Sequence, residues 1–289
     1  MNALSGLIQD EIDAHGPITV ARYMELALGH PEHGYYRTRD PLGVDGDFIT
    51  APEVSQMFGE LIGLWAAVTW EQMGKPASFI LAELGPGRGT LMADALRAAH
   101  AQEGFTDAAK LHLIETSPAL RARQHETLGH AAPQWHDDMT TLPDGPLIVF
   151  ANEFFDALPV RQFMYQDSVW RERLITTADQ GSDNPFRFTL AENAAENAAD
   201  DPGLPAAAAT ADGTVAETCG AGEALAAKLG TRFSAAGGAA LIIDYGYGHP
   251  ASGDSLQAVK GHAYADPLAN PGNADITAHV DFTALAKAA

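Results

Sequence analysis

The sequence predicts an α/β fold built around a parallel sheet. Four short, continuously apolar runs recur from residue 78 onward, separated by segments of helical length: SFILAEL, KLHLIE, PLIVFAN and AALIIDY. Strands buried on both faces of a parallel sheet read as such runs, and helices connect them. The 289 residues suffice for one large domain with insertions or for two average domains.

The first 75 residues are predicted to form a helical N-terminal region. Apolar residues recur at helical spacing before and after Gly16-Pro17. Between Gly29 and Gly46 the chain is rich in aromatic residues, His, Pro and Gly, as in an irregular surface loop. A Thr50-x-x-Glu53 capping box then begins a helix with an apolar stripe, which we expect to face the core. The stripe consists of Val54, Met57, Phe58, Leu61, Trp65 and Val68.

An insertion is predicted within the α/β pattern, over about residues 160–235. The segment VRQFMYQDSVWRERLITT alternates apolar and polar positions on both sides of Gln166-Asp167, which is typical of a β-hairpin. Residues 191–213 are low-complexity Ala, Asp, Asn and Pro, and we predict a mobile loop there. We therefore divide the chain into a helical region, 1–75, and an α/β domain, 76–289, that carries the insertion.

Charge and composition exclude several classes of function. Acidic residues outnumber Lys and Arg by 38 to 17, and the net charge of −21 disfavours nucleic acid and anionic membranes as partners. The one cysteine, Cys219, cannot form an internal disulfide, and zinc-ligand spacing is lacking, so we expect no metal site. The longest apolar run is about half of what a membrane-spanning helix needs, and the N-terminus resembles neither a signal peptide nor a transit peptide. We expect a cytoplasmic protein without membrane insertion.

A glycine loop follows the first apolar run and opens a predicted helix. Residues 83–90 read ELGPGRGT, at the carboxyl end of a strand, where ligands of open α/β sheets bind. The G-x-G-x-G spacing differs from the G-x-G-x-x-G of dinucleotide sites, and no P-loop lysine follows. An acid at the strand end suits a ligand with a cationic amino group and no phosphate, which describes S-adenosylmethionine better than NAD or ATP. The predicted cofactor residues are Glu83, Gly85, Pro86, Gly87, Gly89 and Thr90.

Acids that end the next strands are candidates for the rest of the cofactor. Glu115 ends the second apolar run, near where an α/β nucleotide fold places its ribose acid. An exposed acid capping the helix that begins at Ser117-Pro118 is the alternative. Asp137 and Asp138 follow a short predicted strand and are candidates to accept the adenine amino hydrogen, although a turn acid fits equally well. The glycine loop likewise has an alternative, a turn without a ligand.

A polar elbow follows the strand that ends at Ala151. It reads Asn152-Glu153-Phe154-Phe155-Asp156, and carboxylates in such a place are costly to bury unless they bind a cation. A guanidinium pairs with carboxylates in a bidentate way and must lose a proton when it is methylated. We predict that Glu153 and Asp156 orient an acceptor nitrogen and take its proton, and that Asn152 contacts the cofactor. Acids that complement a helix dipole are an equally good interpretation.

Seven ordered motifs resemble those of the MidA-like proteins, bacterial relatives of the mitochondrial arginine methyltransferase that acts as a complex I assembly factor. They are YMELALGHPEHGYY (23–36), GDFITAPEVSQMFGE (46–60), ELGPGRGTLMADALR (83–97), IETSPALRARQ (114–124), ANEFFDALPVRQF (151–163), LIIDYG (241–246) and DITAHVDF (275–282). The resemblance implies a class I (Rossmann-like) methyltransferase sheet and S-adenosylmethionine as methyl donor. It also implies symmetric dimethylation of an arginine, with a respiratory complex I subunit as protein substrate. The expected compartment is then the bacterial cytoplasm.

The chain departs from that family in two respects: at its C-terminal end, and in the Ala- and Asp-rich stretch 191–213, which bears on substrate choice. The family continues beyond a helix like the one expected at Asp281–Ala288, so we expect the last strands of the class I sheet to be lacking.

Residues Gly46–Thr50 combine an aromatic side chain with glycine hinges, and we predict that they close over the cofactor as a lid. Phe48 and Thr50 are the expected contacts within this lid.

Two other functions are retained as alternatives. The first is a non-enzymatic assembly chaperone that keeps the methyltransferase fold, and the pairing of Glu153 with Asp156 argues against it. The second is a nicotinamide dehydrogenase, which the G-x-G-x-G spacing disfavours. Binding of S-adenosylhomocysteine separates the dehydrogenase from the other two, and methyl transfer separates the enzyme from the chaperone.

Overall fold

The computed structural model describes residues 2–38, 46–47, 50–193, 204, 210–249 and 251–289. Its helices are α1 (Ala3–His15), α2 (Val20–Gly29), α3 (Tyr35–Thr38), α4 (Ala51–Val54), α5 (Gln56–Gln72), α6 (Thr90–Ala99), α7 (Phe105–Ala108), α8 (Pro118–Leu128), α9 (Gly220–Ala236) and α10 (Phe282–Ala288). Its strands are β1 (Ile18–Thr19), β2 (Phe79–Leu84), β3 (Ala109–Ile114), β4 (Gln134–His136), β5 (Leu147–Asn152), β6 (Arg161–Gln166), β7 (Val169–Thr177), β8 (Phe186–Leu190), β9 (Val215–Thr218), β10 (Gly238–Ile243), β11 (Gly246–Tyr247), β12 (Gln257–Lys260), β13 (Ala263–Ala265), β14 (Asp275–Thr277) and β15 (Val280–Asp281). The chain forms two compact units.

The parallel sheet lies in the unit formed by Arg39–Phe155 and Ala227–Asp244, which we call the sheet unit. Its strand order is β10-β5-β2-β3-β4, and every neighbouring pair is parallel. The chain builds outward from β2 to β3 and β4, and then continues on the other side of β2 with β5 and β10. This reversal places a ligand-binding crevice at the carboxyl ends of β2 and β5. The four apolar runs are β2, β3, β5 and β10, which confirms the predicted Rossmann-like α/β fold.

Helices α5 and α6 pack against each other through small residues. A Cβ on Gly63 would lie 2.1 Å from the backbone oxygen of Ala95, and one on Gly59 would lie 2.6 Å from Asp94 Cβ. Glycine at both positions therefore lets the two helix backbones approach closely. On the sheet side, the Trp65 ring lies 6.2 Å from that of Phe150, centroid to centroid.

The apolar stripe predicted for α5 is partly wrong. Phe58 and Trp65 do pack against the core. Met57 and Leu61, however, are 63% and 60% exposed, and Val54 and Val68 are exposed as well. The core side of α5 carries its small residues together with large ones: Gly59, Ile62, Gly63, Ala66, Ala67, Thr69 and Trp70. The physical reason is that close packing on α6 selects small side chains, so the most apolar face is not the buried one.

The second unit consists of Met1–Thr38, Asp156–Ala226 and Tyr245–Ala289, and we call it the antiparallel unit. Its main sheet has the order β1-β7-β6-β9, and β8 pairs with β7. Strands β6 and β7 form the predicted hairpin, with Asp167 and Ser168 at φ of +52° and +66° in its two-residue turn. Positive φ at both central residues matches the twist of the flanking strands. Helices α1 and α2 confirm the helical N-terminus.

The division of the chain at residue 75 and the lack of the last sheet strands stay predictions. Most of the low-complexity stretch 191–213 and Phe48 of the predicted lid lie outside the described residues. Within the described ranges, no helix has the length and apolar character needed to cross a membrane.

Candidate functional site

The glycine loop connects β2 to α6 through left-handed backbone. Gly85, Gly87 and Gly89 have φ of +59°, +53° and +83°, a conformation that costs other residues about 1–2 kcal/mol. A Cβ on Gly85 would lie 2.8 Å from Phe154 Cδ2, so the loop also needs the space that glycine leaves. Glycine is therefore required for backbone geometry and for close approach, and Pro86 lies between the first two glycines.

Two buried acceptors lie at the same edge of the sheet. In the described part of the chain, Glu83 Oε2 and Asn152 Oδ1 have no hydrogen-bond partner. Glu83 is in register with Phe150, two residues before Asn152, so Glu83 and Asn152 lie on the same face of the sheet. Burial raises the pKa of Glu83 to about 8. A ligand that donates several hydrogens, such as an ammonium group, fits these acceptors.

Glu115 lies at the carboxyl end of β3, beside the glycine loop. Its carboxylate is 8% exposed and accepts from the Ser117 backbone N–H at 2.7 Å and from Gln124 Nε2 at 3.2 Å. Burial is the largest effect and raises the pKa of Glu115 above its ordinary value, and these hydrogen bonds offset part of that rise. The alternative interpretation of Glu115 was an exposed capping acid, whereas the structure has a buried acid that accepts from the N–H of Ser117, the N-cap residue of α8. Ser117 itself caps α8 by accepting from the Leu120 N–H.

Asp137 and Asp138 follow β4. Asp137 is exposed and pairs with Arg121, whose Nη2 lies 2.8 Å from Asp137 Oδ1. Asp138 accepts from the Thr140 N–H at 2.6 Å and also from the Thr140 hydroxyl, and these bonds lower its pKa. Asp138 therefore caps a turn of its own, and its contact with adenine stays a prediction.

The elbow after β5 is strained and held from β10. Glu153 has φ +48°, which is unusual for a residue with a side chain, and its N–H donates to the Ile243 carbonyl at 2.8 Å. Asp244 Oδ2 accepts from the N–H groups of Phe154 and Phe155, at 3.1 and 2.8 Å. Sequence reasoning missed Asp244, although it closes the strand in the motif LIIDYG.

Asp156, the second predicted catalytic acid, belongs to the antiparallel unit. It is buried, and its carbonyl accepts from the Ala278 N–H at 2.9 Å. In the same unit, the Tyr36 hydroxyl donates to Asp275 Oδ1 at 2.6 Å. Burial, Asp275 and Asp156 raise the pKa of Tyr36. Asp156 thus lies near residues from the first and the last of the seven motifs.

The predicted capping box at Thr50 is wrong. The Thr50 side chain makes no capping bond to α4, and the Glu53 carboxylate instead bonds the Thr90 hydroxyl at the start of α6. The longer helix α5 begins separately at Gln56, after Ser55 in an extended conformation. A tertiary partner for Glu53 therefore replaces the local one that the spacing suggested.

Comparisons with known proteins agree with this geometry. A family model described as an S-adenosyl-L-methionine-dependent methyltransferase matches residues 61–289. Among curated relatives, the mitochondrial protein arginine methyltransferase NDUFAF7 homolog of Drosophila melanogaster is 38% identical over 304 residues, covering 97% of this chain and 68% of that protein. The Homo sapiens protein arginine methyltransferase NDUFAF7 is 37% identical over 314 residues, covering 96% of this chain and 67% of that protein.

Solved structures give the same result. A methyltransferase-type protein from Burkholderia thailandensis, bound to S-adenosyl-homocysteine, is 32% identical with a TM-score of 0.82 over 99% of this chain and 75% of that one. A native crystal structure from the same organism has a TM-score of 0.79 and 32% identity, covering 99% of this chain and 74% of that one. These matches confirm the family resemblance, the fold and the predicted S-adenosylmethionine cofactor.

The predicted bacterial cytoplasmic location is wrong. The curated relatives from Drosophila melanogaster, Mus musculus and Homo sapiens are mitochondrial proteins of eukaryotes. The prediction depended on composition, on a single cysteine and on the residues at the N-terminus. Such features constrain the redox environment of a protein, and they do not distinguish one reducing compartment from another.

Proposed function

The chain belongs to the family of S-adenosyl-L-methionine-dependent methyltransferases, and from this membership we propose that it methylates an arginine side chain of a protein substrate. The curated relatives are named protein arginine methyltransferases. The observation that carries the proposal is Glu153, held in a strained conformation at the end of β5, directly after the buried acceptor of Asn152. Strain at such a place is tolerated where a side chain must be aimed at a reacting group.

We propose that different residues of the crevice bind different groups of the cofactor. We assign the ammonium group to Glu83 and Asn152, because both carry a buried acceptor without a partner in the described ranges. We assign the ribose hydroxyls to Glu115, which keeps lone pairs beyond its bonds to the protein. The remaining proposed contacts are Gly85, Pro86, Gly87, Gly89, Thr90, Asp138, Phe48 and Thr50. When bound, S-adenosylmethionine supplies an electrophilic methyl group attached to a sulfonium.

Glu153 and Asp156 are the proposed catalytic residues. A guanidinium has a pKa above about 12, so it binds in its charged form and is a poor nucleophile. The Glu153 carboxylate pairs with two of its nitrogens and concentrates positive charge on them, which leaves the third nitrogen better able to attack. As the new N–C bond forms, the bond between the methyl carbon and the sulfonium sulfur would break and leave a neutral thioether. The nitrogen must then lose a proton, and we assign acceptance of the proton to the Asp156 carboxylate.

Two finer statements extend the proposal. We propose that the product is symmetric dimethylarginine and that the substrate is a subunit of respiratory complex I. Both depend on the resemblance of the seven motifs to the MidA-like family. The fragmentation mass spectrum of the product tests the first statement, because symmetric and asymmetric dimethylarginine lose different neutral fragments.

Labelled-methyl transfer tests the proposed function. Protein from a lysate that lacks this enzyme is incubated with purified chain and methyl-labelled S-adenosylmethionine, and labelled residues are identified after digestion. We expect label on arginine, and Glu153→Gln should reduce it at least about a hundredfold. Label confined to other residues would overturn the arginine acceptor. Partner binding without methylation by either protein would instead support the assembly chaperone.

A further inference from the structure

Gln124 makes three hydrogen bonds inside the sheet unit although its side chain is fully buried. It lies on α8 and is 0% exposed. Its Nε2 donates to the Gly87 carbonyl at 2.7 Å and to Glu115 Oε2 at 3.2 Å. Its Oε1 accepts from Trp135 Nε1 at 2.8 Å. One carboxamide thus contacts the glycine loop, the acid at the end of β3, and β4.

The orientation of this carboxamide follows from its partners. An amide NH2 group donates two hydrogens, and both are used on oxygens that only accept. The indole N–H of Trp135 only donates, so it requires the amide oxygen opposite it. Rotating the amide by 180° would place oxygen against two acceptors and NH2 against a donor. The side chain therefore holds Gly87 and Glu115 in one fixed arrangement.

The two residues to which the Gln124 amide donates follow different strands of the sheet. Gly87 follows β2 and has left-handed backbone, which other residues would adopt only with strain. Glu115 follows β3, and its buried carboxylate accepts from the backbone N–H groups of Thr116 and Ser117 and from Gln124, so Gln124 is its one side-chain donor among these three. Removing the Gln124 amide would leave Glu115 Oε2 with one donor fewer and would free the Gly87 peptide to rotate.

We infer that Gln124 is a positioning residue for the cofactor: it holds the Glu115 carboxylate and the glycine loop in the relative position that binding requires. The inference rests on the cofactor site of the proposed function. In this role Gln124 acts through Glu115 and makes no contact of its own with the ligand. A purely structural glutamine would stabilise the packing of α8 and would leave ribose recognition unchanged.

A double-mutant cycle with S-adenosylhomocysteine tests this. Calorimetric affinities are measured for the parent, Gln124→Met, Glu115→Ala and the double variant, because Met keeps the length of Gln without its hydrogen bonds. We expect Gln124→Met to weaken binding about tenfold in the parent, and at most about threefold once Glu115 is absent, because only its bond to the Gly87 carbonyl then acts on the site. Equal weakening in both backgrounds, or none in the parent, would overturn the inference. Arg123→Ala, on an exposed part of the same helix, is the control and should bind as the parent does.

Two further outcomes have defined readings. If the parent itself fails to bind S-adenosylhomocysteine, the proposed cofactor site fails, and the inference fails with it. If Gln124→Met does not fold, as judged by circular dichroism, Trp135→Phe replaces it, since this change removes the N–H that fixes the amide and keeps an aromatic ring, although a smaller one, at this position. We then expect about threefold weaker binding, and unchanged affinity of Trp135→Phe would overturn the inference.

Discussion

The hydroxyl of Thr90 donates a hydrogen bond of 2.6 Å to Glu53 Oε1. Thr90 begins α6, and its N-cap residue, Gly89, has no side chain to satisfy the free amide groups of the first turn. Glu53 on α4 brings a negative charge to this helix N-terminus, which complements the helix dipole. Arg88 Nη1 lies 3.6 Å from Glu53 Oε2. The segment before α5 is therefore joined to the glycine loop by a charged contact.

Glu53→Ala should loosen this contact and weaken S-adenosylhomocysteine binding about three- to tenfold, since hydrogen bonds to charged groups contribute about 1.5–3 kcal/mol and water replaces part of that. It should also speed protease cleavage between Tyr35 and Phe48 when the ligand is present, if the segment acts as a lid. Glu60→Ala, which removes an exposed ion pair with Arg97, is the matched control. Parent-like affinity of Glu53→Ala would mean that α4 does not support the site.

Gly87→Val should abolish measurable S-adenosylhomocysteine binding. A branched side chain would fill the space where backbone and ligand meet, and it would strain the left-handed backbone. Gly74→Val is a matched control. Gly74 has φ +84° and open space around it, so this variant has the backbone strain without a side chain that fills a ligand site. Calorimetry should find the control unchanged in affinity. Equal affinity in both variants would remove Gly87 from the cofactor site.

Glu83 should make the stability of the protein depend on pH. Burial raises its pKa to about 8, from an ordinary 4.5. Between these values the native state keeps a proton that the unfolded chain has lost, so this group lowers stability increasingly as pH rises from 4.5 to 8. Glu83→Gln removes the effect. The difference in free energy of unfolding between Glu83→Gln and the parent should therefore increase in favour of the variant from pH 4.5 to 8 and stay constant above pH 8.

The size of this gain is a few kcal/mol at most, because each pH unit between the two pKa values contributes no more than about 1.4 kcal/mol. Urea unfolding at pH 5, 6.5 and 8 measures it. Glu126→Gln, at an exposed acid, should follow the parent at each pH. An identical pH slope for the parent and Glu83→Gln would show that Glu83 is not protonated in the native state.

Glu153→Gln should keep S-adenosylhomocysteine affinity near that of the parent while methyl transfer to arginine falls at least about a hundredfold. The amide keeps the shape of the side chain and loses the charge that orients a guanidinium, and acid-base assistance typically contributes about 10²–10⁴ in rate. Single-turnover transfer of a labelled methyl group measures the effect. Near-parent turnover would exclude Glu153 from catalysis.

Several features of this protein can be predicted from its sequence because they leave a local pattern. A strand buried on both faces must be apolar throughout, so β2 and β5 were recognisable, and β3 and β10 were recognisable by apolar runs of the same kind. Left-handed turns select glycine, so the loop after β2 was recognisable too. The hairpin of β6 and β7 followed from alternation of polar and apolar residues.

Only the tertiary structure decides which polar groups meet. Gln124 bonds Gly87 across 37 residues, and Asp244 bonds Phe154 across 90. Glu53 has a threonine three positions before it, at capping-box spacing, yet it bonds Thr90 instead. The exposed side of α5 was likewise misjudged, because the close approach of α6 decides which face is buried. A hydrogen bond depends on distance and direction in space, and for residues far apart in the chain no sequence period records either.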